Sequence, residues 1–235
     1  MTVAHEGLRV DWLGYATVRI EGSDAVVYLD PGRYGVLDGH RPRDGDLVCV
    51  THDHHYDSEG IDRVAGEDAT LVVYEGVDPE GIDRDVAPLD ELGRRVDRVG
   101  ERVSVRAGGV RVETVPAHNT PDGHVREDGT PYHPKGFGVG YRVVVDGVSL
   151  FWPGDTDVLD VHDEVAASVL CPPVGGSFTM DRHEAAALAD DLRPGLVVPV
   201  HYDTFEALEA DERAFAADVA ERGVPVALED PEQTP

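Results

Sequence analysis

The chain has 235 residues, 41% of them hydrophobic, which suits one domain spanning 1–235 with a substantial core. Its formal charge is −27, from 47 acidic against 20 basic residues. That balance excludes surfaces built for nucleic acid or anionic membrane, since both require a positive face. No apolar run approaches the roughly 18 residues of a membrane span. Residues 1–6 lack the basic-then-apolar pattern of a secretory signal, so a cytoplasmic location is expected. Lys135 is the sole lysine, and the acidic excess runs along the whole chain. This resembles halophilic proteins of salt-loaded cytoplasm, where high ionic strength screens the repulsion. Cys49 and Cys171 lie in apolar runs and read as core residues rather than a disulfide.

Alternation predicts strands at 8–13, 16–20 and 25–29, with a turn at 21–24. Apolar runs at 47–50 and 71–74 predict buried strands with a short helix near 60–64 between them. Residues 103–105 and 110–115 form a predicted hairpin around Gly108-Gly109, and 140–145 and 148–152 another across Asp146-Gly147. Buried strands follow at 169–171 and 196–200. Between them a helix is predicted over 182–192, opened by a capping box of Asp181 and Glu184. A second helix is predicted over 205–221, ending at Gly223, then a short strand at 224–228. The polar tail 229–235 is expected to fray. Residues 118–135 carry no periodicity, and so long a loop in a compact domain is usually functional or disordered. Both halves run strands first, then strand–helix–strand. The expected architecture is therefore α/β, with two packed sheets and helices outside.

Four predicted strands end in a metal-binding residue type. The 47–50 run leads to His52, His54, His55 and Asp57; the 110–115 strand to His118; the 148–152 strand to Asp155; the 196–200 strand to His201. Neutral imidazoles and carboxylates are ligands of zinc-like cations. A polar loop rich in histidine would look the same locally, and a lone histidine at a strand end is usually only hydrogen-bonded. Four such ends in one chain are harder to explain that way.

The order Thr51-His52-Asp53-His54, His118, Gly154-Asp155-Thr156, His201 resembles the metallo-β-lactamase superfamily. Within it the chain is similar to the lactonase-like branch. The runs carrying this likeness are Trp12-Leu13-Gly14-Tyr15-Ala16-Thr17, Asp30-Pro31-Gly32, the segment 172–181 and Pro199-Val200-His201-Tyr202. The resemblance implies an αββα sandwich of two mixed sheets with metal at one edge. It implies one site of His52, His54, His118 and Asp155. It implies a second of Asp57, Asp155 and His201, one ligand short. The superfamily pattern H-x-H-x-D-H is broken here. Either one residue is inserted before Tyr56 or the motif has slipped, and Ser58 stands where a histidine is usual. His55 would complete the second site if the loop bulges. Otherwise one ion is held tightly and the second position is weak, which is the arrangement the sequence favours.

The branch can also carry a tyrosine where His118 stands, together with a later His-Pro pair. His133 is therefore a rival ligand or a substrate-contacting group, with Lys135 beside it. The expected chemistry is metal-dependent hydrolysis of an ester, lactone or phosphoester in a small molecule, an anionic one included. The expected cofactor is zinc, one or two ions, with manganese or another divalent metal as substitute, and Asp57 holds the attacking water. A phosphodiesterase or nuclease of the same fold is the first alternative. A non-catalytic metal-binding protein with a degenerate second site is the other. A homo-oligomer is compatible with the sequence; nucleic-acid and membrane partners are not expected.

Overall fold

The computed structural model describes residues 1–228, so the predicted frayed tail lies outside the described residues. In chain order, the first half comprises β1 (Thr2–His5), β2 (Leu8–Gly14), β3 (Thr17–Glu21), β4 (Val26–Leu29), β5 (Gly45–Val50), α1 (Ser58–Val64), β6 (Ala65–Tyr74) and β7 (Arg95–Val99). The second comprises β8 (Ser104–Ala107), β9 (Val110–Ala117), β10 (Gly138–Val145), β11 (Val148–Trp152), β12 (Val169–Leu170), α2 (Arg182–Leu192), β13 (Leu196–Val197) and α3 (Glu212–Glu221).

The strands form two mixed sheets, one ordered β1 to β7 and the other β13-β12-β11-β10-β9-β8. Each opens with antiparallel strands and closes with parallel ones: β4, β5, β6 and β7 in the first sheet, β11, β12 and β13 in the second. In the parallel part of each sheet all carboxyl ends lie at one edge. Side chains that follow β4, β5, β11 and β13 are thereby gathered there, the place where open α/β sheets present their sites.

The sheets pack through strands with no polar face. Leu47, Val48, Cys49 and Val50 are fully buried, as are Leu150, Phe151 and Trp152. Burying such a side chain contributes about 1.5–3 kcal/mol. Two polar contacts fix how the sheets sit. The Tyr141 hydroxyl of β10 donates to the Val50 carbonyl of β5 at 2.9 Å, and the Trp152 indole N–H donates to Asp30 at 2.7 Å. Helix α2 starts as its capping box predicts: Asp181 accepts from the His183 and Glu184 amides, and Glu184 returns a bond to the Asp181 amide.

Three features depart from the sequence expectation. The helix predicted over 205–221 begins only at Glu212, because Asp211 accepts the Ala214 amide as N-cap. Before it lies a single tight turn at Glu206–Leu208 that buries Leu208. Of residues 224–228, only Val226 bridges, to Val197. Strands β1 and β7 were not expected. Both are edge strands whose residues, Val99 apart, are exposed or half-buried, and β7 is largely charged, which weakens any hydrophobic signal. Among the described residues, no helix is long and apolar enough to cross a membrane.

Candidate metal centre

Asp155 is the hub of the sheet edge. Gly154, with φ +77°, turns the chain out of β11 where a Cβ would meet the Val139 carbonyl at 2.8 Å, and the next residue points into the gap between the sheets. One carboxylate oxygen, Oδ2, lies 3.6 Å from His52 Nε2 and 3.3 Å from His133 Nε2. The other, Oδ1, lies 3.5 Å from His55 Nε2 and 3.4 Å from His201 Nε2. His54 Nδ1 is 3.2 Å from His133 Nε2, which adds a more exposed imidazole to the first group. Five imidazoles thus surround one carboxylate in two sets.

The loop after β5 supplies three of these rings. The His55 amide bonds the His52 carbonyl at 3.1 Å and the Tyr56 amide bonds the Asp53 carbonyl at 3.2 Å, closing a tight turn. This turn brings His55 inward, where it is buried. Asp57 is left one step further along, and it does not reach the cluster. Its carboxylate accepts the Gly60 and Arg33 amides and caps α1. The expected water-holding and ligand roles of Asp57 are therefore corrected: its oxygens are committed to starting a helix. Ser58 is structural as well, its hydroxyl accepting the Ala87 amide at 2.9 Å.

His118 is also not brought into the cluster. Side chains alternate along an extended strand. At the end of β9, Ala117 and Asn119 face inward and are buried, so His118 faces the other way. It lines a separate cavity of about 330 Å³ together with Lys135. Lys135 is thus not in the cleft above the cluster, contrary to the expected substrate contact. His133, expected as a rival ligand or a substrate contact, sits where a His118 ligand was expected. Its position is set by Asn119, whose side-chain oxygen accepts the His133 amide at 2.7 Å and whose own amide bonds the His133 carbonyl at 2.8 Å. Asn119 is in turn held by Asp157 at 2.9 Å.

Hydrogen bonds on the far side of three of the rings, His52, His55 and His133, decide which nitrogen faces Asp155. Asp30, at the end of β4, accepts from the Thr51 amide and hydroxyl, from His55 Nδ1 at 2.9 Å and from Trp152. Thr51 Oγ1, its proton given to Asp30, accepts from His52 Nδ1 at 2.9 Å. His133 Nδ1 donates to the Phe178 carbonyl at 3.2 Å. In each case the proton sits on Nδ1, and Nε2 is left with a bare lone pair. His201 reaches the site from a left-handed backbone, φ +58°, with its amide on the Tyr15 carbonyl at 2.8 Å.

Buried polar atoms normally have partners, and each orphan costs about 1–3 kcal/mol. Among the described residues, His52 Nε2, His55 Nε2, His201 Nε2 and Asp155 Oδ1 have none, and all converge on the same point. That donor set fits a divalent cation. Burial holds His52 and His201 well below the usual imidazole range and lowers His133 to about 3 and His54 to about 4, so these rings are in the neutral, ligating form. Burial raises Asp155 to about 6, with His55 pulling the other way. His55 also loses by burial, but Asp155 and Asp30 together raise it.

A cleft of about 340 Å³ opens above the cluster. Tyr15, Tyr34, Tyr132, Phe178 and Phe205 form its walls, and Arg33 is its one cation.

The sequence profile described as a β-lactamase superfamily domain matches residues 9–201. This chain belongs to the β-lactamase superfamily. A UPF0173 metal-dependent hydrolase of Methanosphaerula palustris is 33% identical over 88% of this chain and 89% of its own length, so the chain falls within that family of metal-dependent hydrolases. Among solved structures, a metallo hydrolase of Ignicoccus hospitalis superposes with TM-score 0.70 at 23% identity, over 95% of each chain. A protein of Parabacteroides distasonis does so with TM-score 0.72 at 19% identity, over 97% of this chain and 96% of that one. Both share the fold.

Asp30, Asn119 and Tyr15 were not foreseen as parts of the site. Asp30 follows an apolar strand as Asp155 does, so the strand-end rule applied to 25–29 would have found it. Asn119 carries no such signal, because only its contact with His133 across fourteen residues gives it a role.

Proposed function

We propose that this metal-dependent hydrolase holds two divalent cations, zinc or manganese, and cleaves an ester, lactone or phosphoester bond of a small molecule. His52, His54, His133 and Asp155 Oδ2 would hold one ion; His55, His201 and Asp155 Oδ1 the other. The observation that carries this is the division of the Asp155 oxygens between two groups of bare Nε2 atoms at 3.3–3.6 Å. His55 then supplies what the first motif lacks, and the expectation of one tight and one weak position gives way to two complete ones. His55 beside Asp155 speaks against the reading with a degenerate second site, and Ser58 is committed to the Ala87 amide.

A divalent cation bound there supplies Lewis acidity and lowers the pKa of its water towards about 7. The chain's own groups do the rest. Asp30 and Thr51 hold His52 and His55 in one tautomer. Tyr15 packs on His201 with ring centroids 4.6 Å apart, and burial keeps its phenol protonated. Its hydroxyl can therefore donate to an oxygen of the substrate. The aromatic walls limit water around the reacting bond. The runs around Trp12-Leu13-Gly14-Tyr15 and 172–181 favour the lactonase-like branch. The charge of −27 favours a small-molecule substrate over a nucleic acid and, with one lysine, a salt-loaded environment.

Metal analysis after dialysis against excess zinc tests the reading. Two ions per chain are expected, and one in His55→Ala. A single ion in both proteins would reject the two-ion site. A screen against lactones, phosphodiesters and aryl esters then identifies the bond.

A further inference from the structure

The cleft over the cluster is flanked by arginines in a chain that is otherwise short of cations. Arg33 lies 4.7 Å from the Tyr34 ring centroid, and its Nη1 donates to the His54 carbonyl at 2.6 Å. Arg126 lies 5.0 Å from the Tyr132 ring centroid. Tyr34 and Tyr132 both line the cleft. Tyr34 belongs to an aromatic group that packs through Tyr15 onto His201 and His55. Tyr132 packs edge-on against Phe178, whose carbonyl holds His133. Each stacked arginine thus accompanies one half of the cluster. Arg84 is the third cation near His54, with its Nη2 on the Asp53 carbonyl at 2.8 Å. Burial and then repulsion from Arg33 hold its guanidinium below the usual range.

Of the sixteen other arginines, ten are paired with a carboxylate. Arg19, Arg43, Arg63 and Arg142 all sit within 3.2 Å of a carboxylate. Among the described residues, neither Arg33, Arg84 nor Arg126 makes an ion pair. Asp57, beside Arg33, is occupied by two backbone amides, and Asp128, near Arg126, accepts from the Thr130 amide and hydroxyl. Gathering unpaired cations costs free energy, and the available carboxylates have not been placed against them. An incoming anion would remove that cost. Arg33 Nη1 and Arg126 Nη1 are each on a backbone carbonyl, and the remaining N–H groups of a guanidinium held over an aromatic ring can still take a carboxylate or phosphate. The cavity volume of about 340 Å³ lies at the small end of ligand sites, room for about one ring.

We infer that the cleft selects a compact substrate bearing an oxyanion remote from the scissile bond, with Arg33, which lines the cleft, as the residue that binds that oxyanion and Arg126, against the cleft wall Tyr132, adding to the positive field. This rests on the metal reading above: one end of the substrate lies at the cluster and the other at the arginines. Carboxylate and phosphate share the required chemistry.

The test uses two ligands that differ by one remote anion, benzoate and terephthalate, with 4-carboxyphenyl phosphate as the phosphate arm. Binding to the zinc-loaded protein is followed by calorimetry, and metal content is measured in the same samples. Terephthalate should bind roughly tenfold or more tightly than benzoate, since a charge-assisted pair contributes that much. In the Arg33→Gln/Arg126→Gln double variant the ratio should fall towards one, with benzoate affinity and metal content unchanged. A better ratio for 4-carboxyphenyl phosphate than for terephthalate would assign a phosphate as the anion. Equal affinity for benzoate and both dianions in the wild type, or a ratio the double variant leaves intact, overturns the inference. Metal content reads the two-ion proposal separately.

Discussion

Two loops deliver four of the cluster's histidines, His52, His54, His55 and His133, and they differ in how the chain encodes them. The loop after β5 carries its histidines as a dense local motif and shapes them by one tight turn. The loop between β9 and β10 carries scattered histidines and is shaped by contacts far apart in sequence. His133 enters because Asn119 and Asp157 clamp the loop, not because of any neighbour in the chain. A local motif reveals which residue types meet; only the fold reveals which of them arrive.

The most damaging change should be at the point the loops share. Asp155→Ala removes the oxygen that faces each group of rings, so both ions should be lost. Activity should fall by more than the roughly 10–100-fold typical of outer-shell losses. Retention of either ion would show that the two groups do not depend on one carboxylate.

The next pair of variants sets the loops' histidines against each other. His133→Ala should remove one ion per chain and most activity. His118→Ala should leave two ions, with turnover within about twofold of wild type, as expected of a change outside the site. The reverse result would mean that His118, not His133, is the ligand.

This pair also marks what was legible in the sequence. The strand-end pattern located β5, β11 and the His201 strand, and with them His52, His54, His55, Asp155 and His201. The paired-sheet architecture followed from alternation and the repeated strand–helix–strand order. His118 failed because side chains alternate: one residue of register at the end of β9 decides which face it joins. Asp57 failed because a carboxylate directly before a helix's first residue is also a good N-cap, and local capping won. Neither outcome can be read without the partner groups.

A smaller effect should come from the supports. Asn119→Ala leaves every ring in place but frees His133, and Asp30→Asn removes the acceptor that sets the His55 tautomer. Each should weaken zinc binding by about 10–100-fold, Asn119→Ala at one ion only. An equal loss of both ions in Asn119→Ala would imply general unfolding, which circular dichroism would reveal.

Proton competition should be milder. Burial raises Asp155 to about 6, so below that pH the carboxyl takes a proton that a cation must displace. Zinc affinity should therefore fall by roughly tenfold per pH unit below 6 from this group alone. The sign is opposite for the metal-free chain. A raised carboxyl pKa means the folded state binds the proton more readily than the unfolded one, so this group's penalty is present above 6 and relieved as pH falls towards 4. Zinc affinity flat between pH 7 and 5 would show that Asp155 stays ionised throughout.

The smallest effect is spread over the whole surface and touches neither loop. With 47 acidic against 20 basic residues, more than half of the carboxylates cannot have a lysine or arginine of their own. Exposed pairs such as Arg41–Asp62 and Arg63–Glu59 lose strength in salt, but each contributes only about 0–1 kcal/mol. Repulsion among the remaining acids should dominate. Raising potassium chloride from 0.1 M to 1 M shortens the screening length from about 10 Å to about 3 Å. The folded state, where these charges are closest, gains most. Each kcal/mol gained shifts Tm by about 2–4 °C in a chain of this size. A rise of several degrees is therefore expected, measured on chelator-treated protein so that the cluster's own cations do not contribute. Chloride is the right anion because sulfate would strengthen apolar burial as well. A Tm that stays level or falls would mean that ion pairs outweigh repulsion, and the acidic surface would then need another explanation.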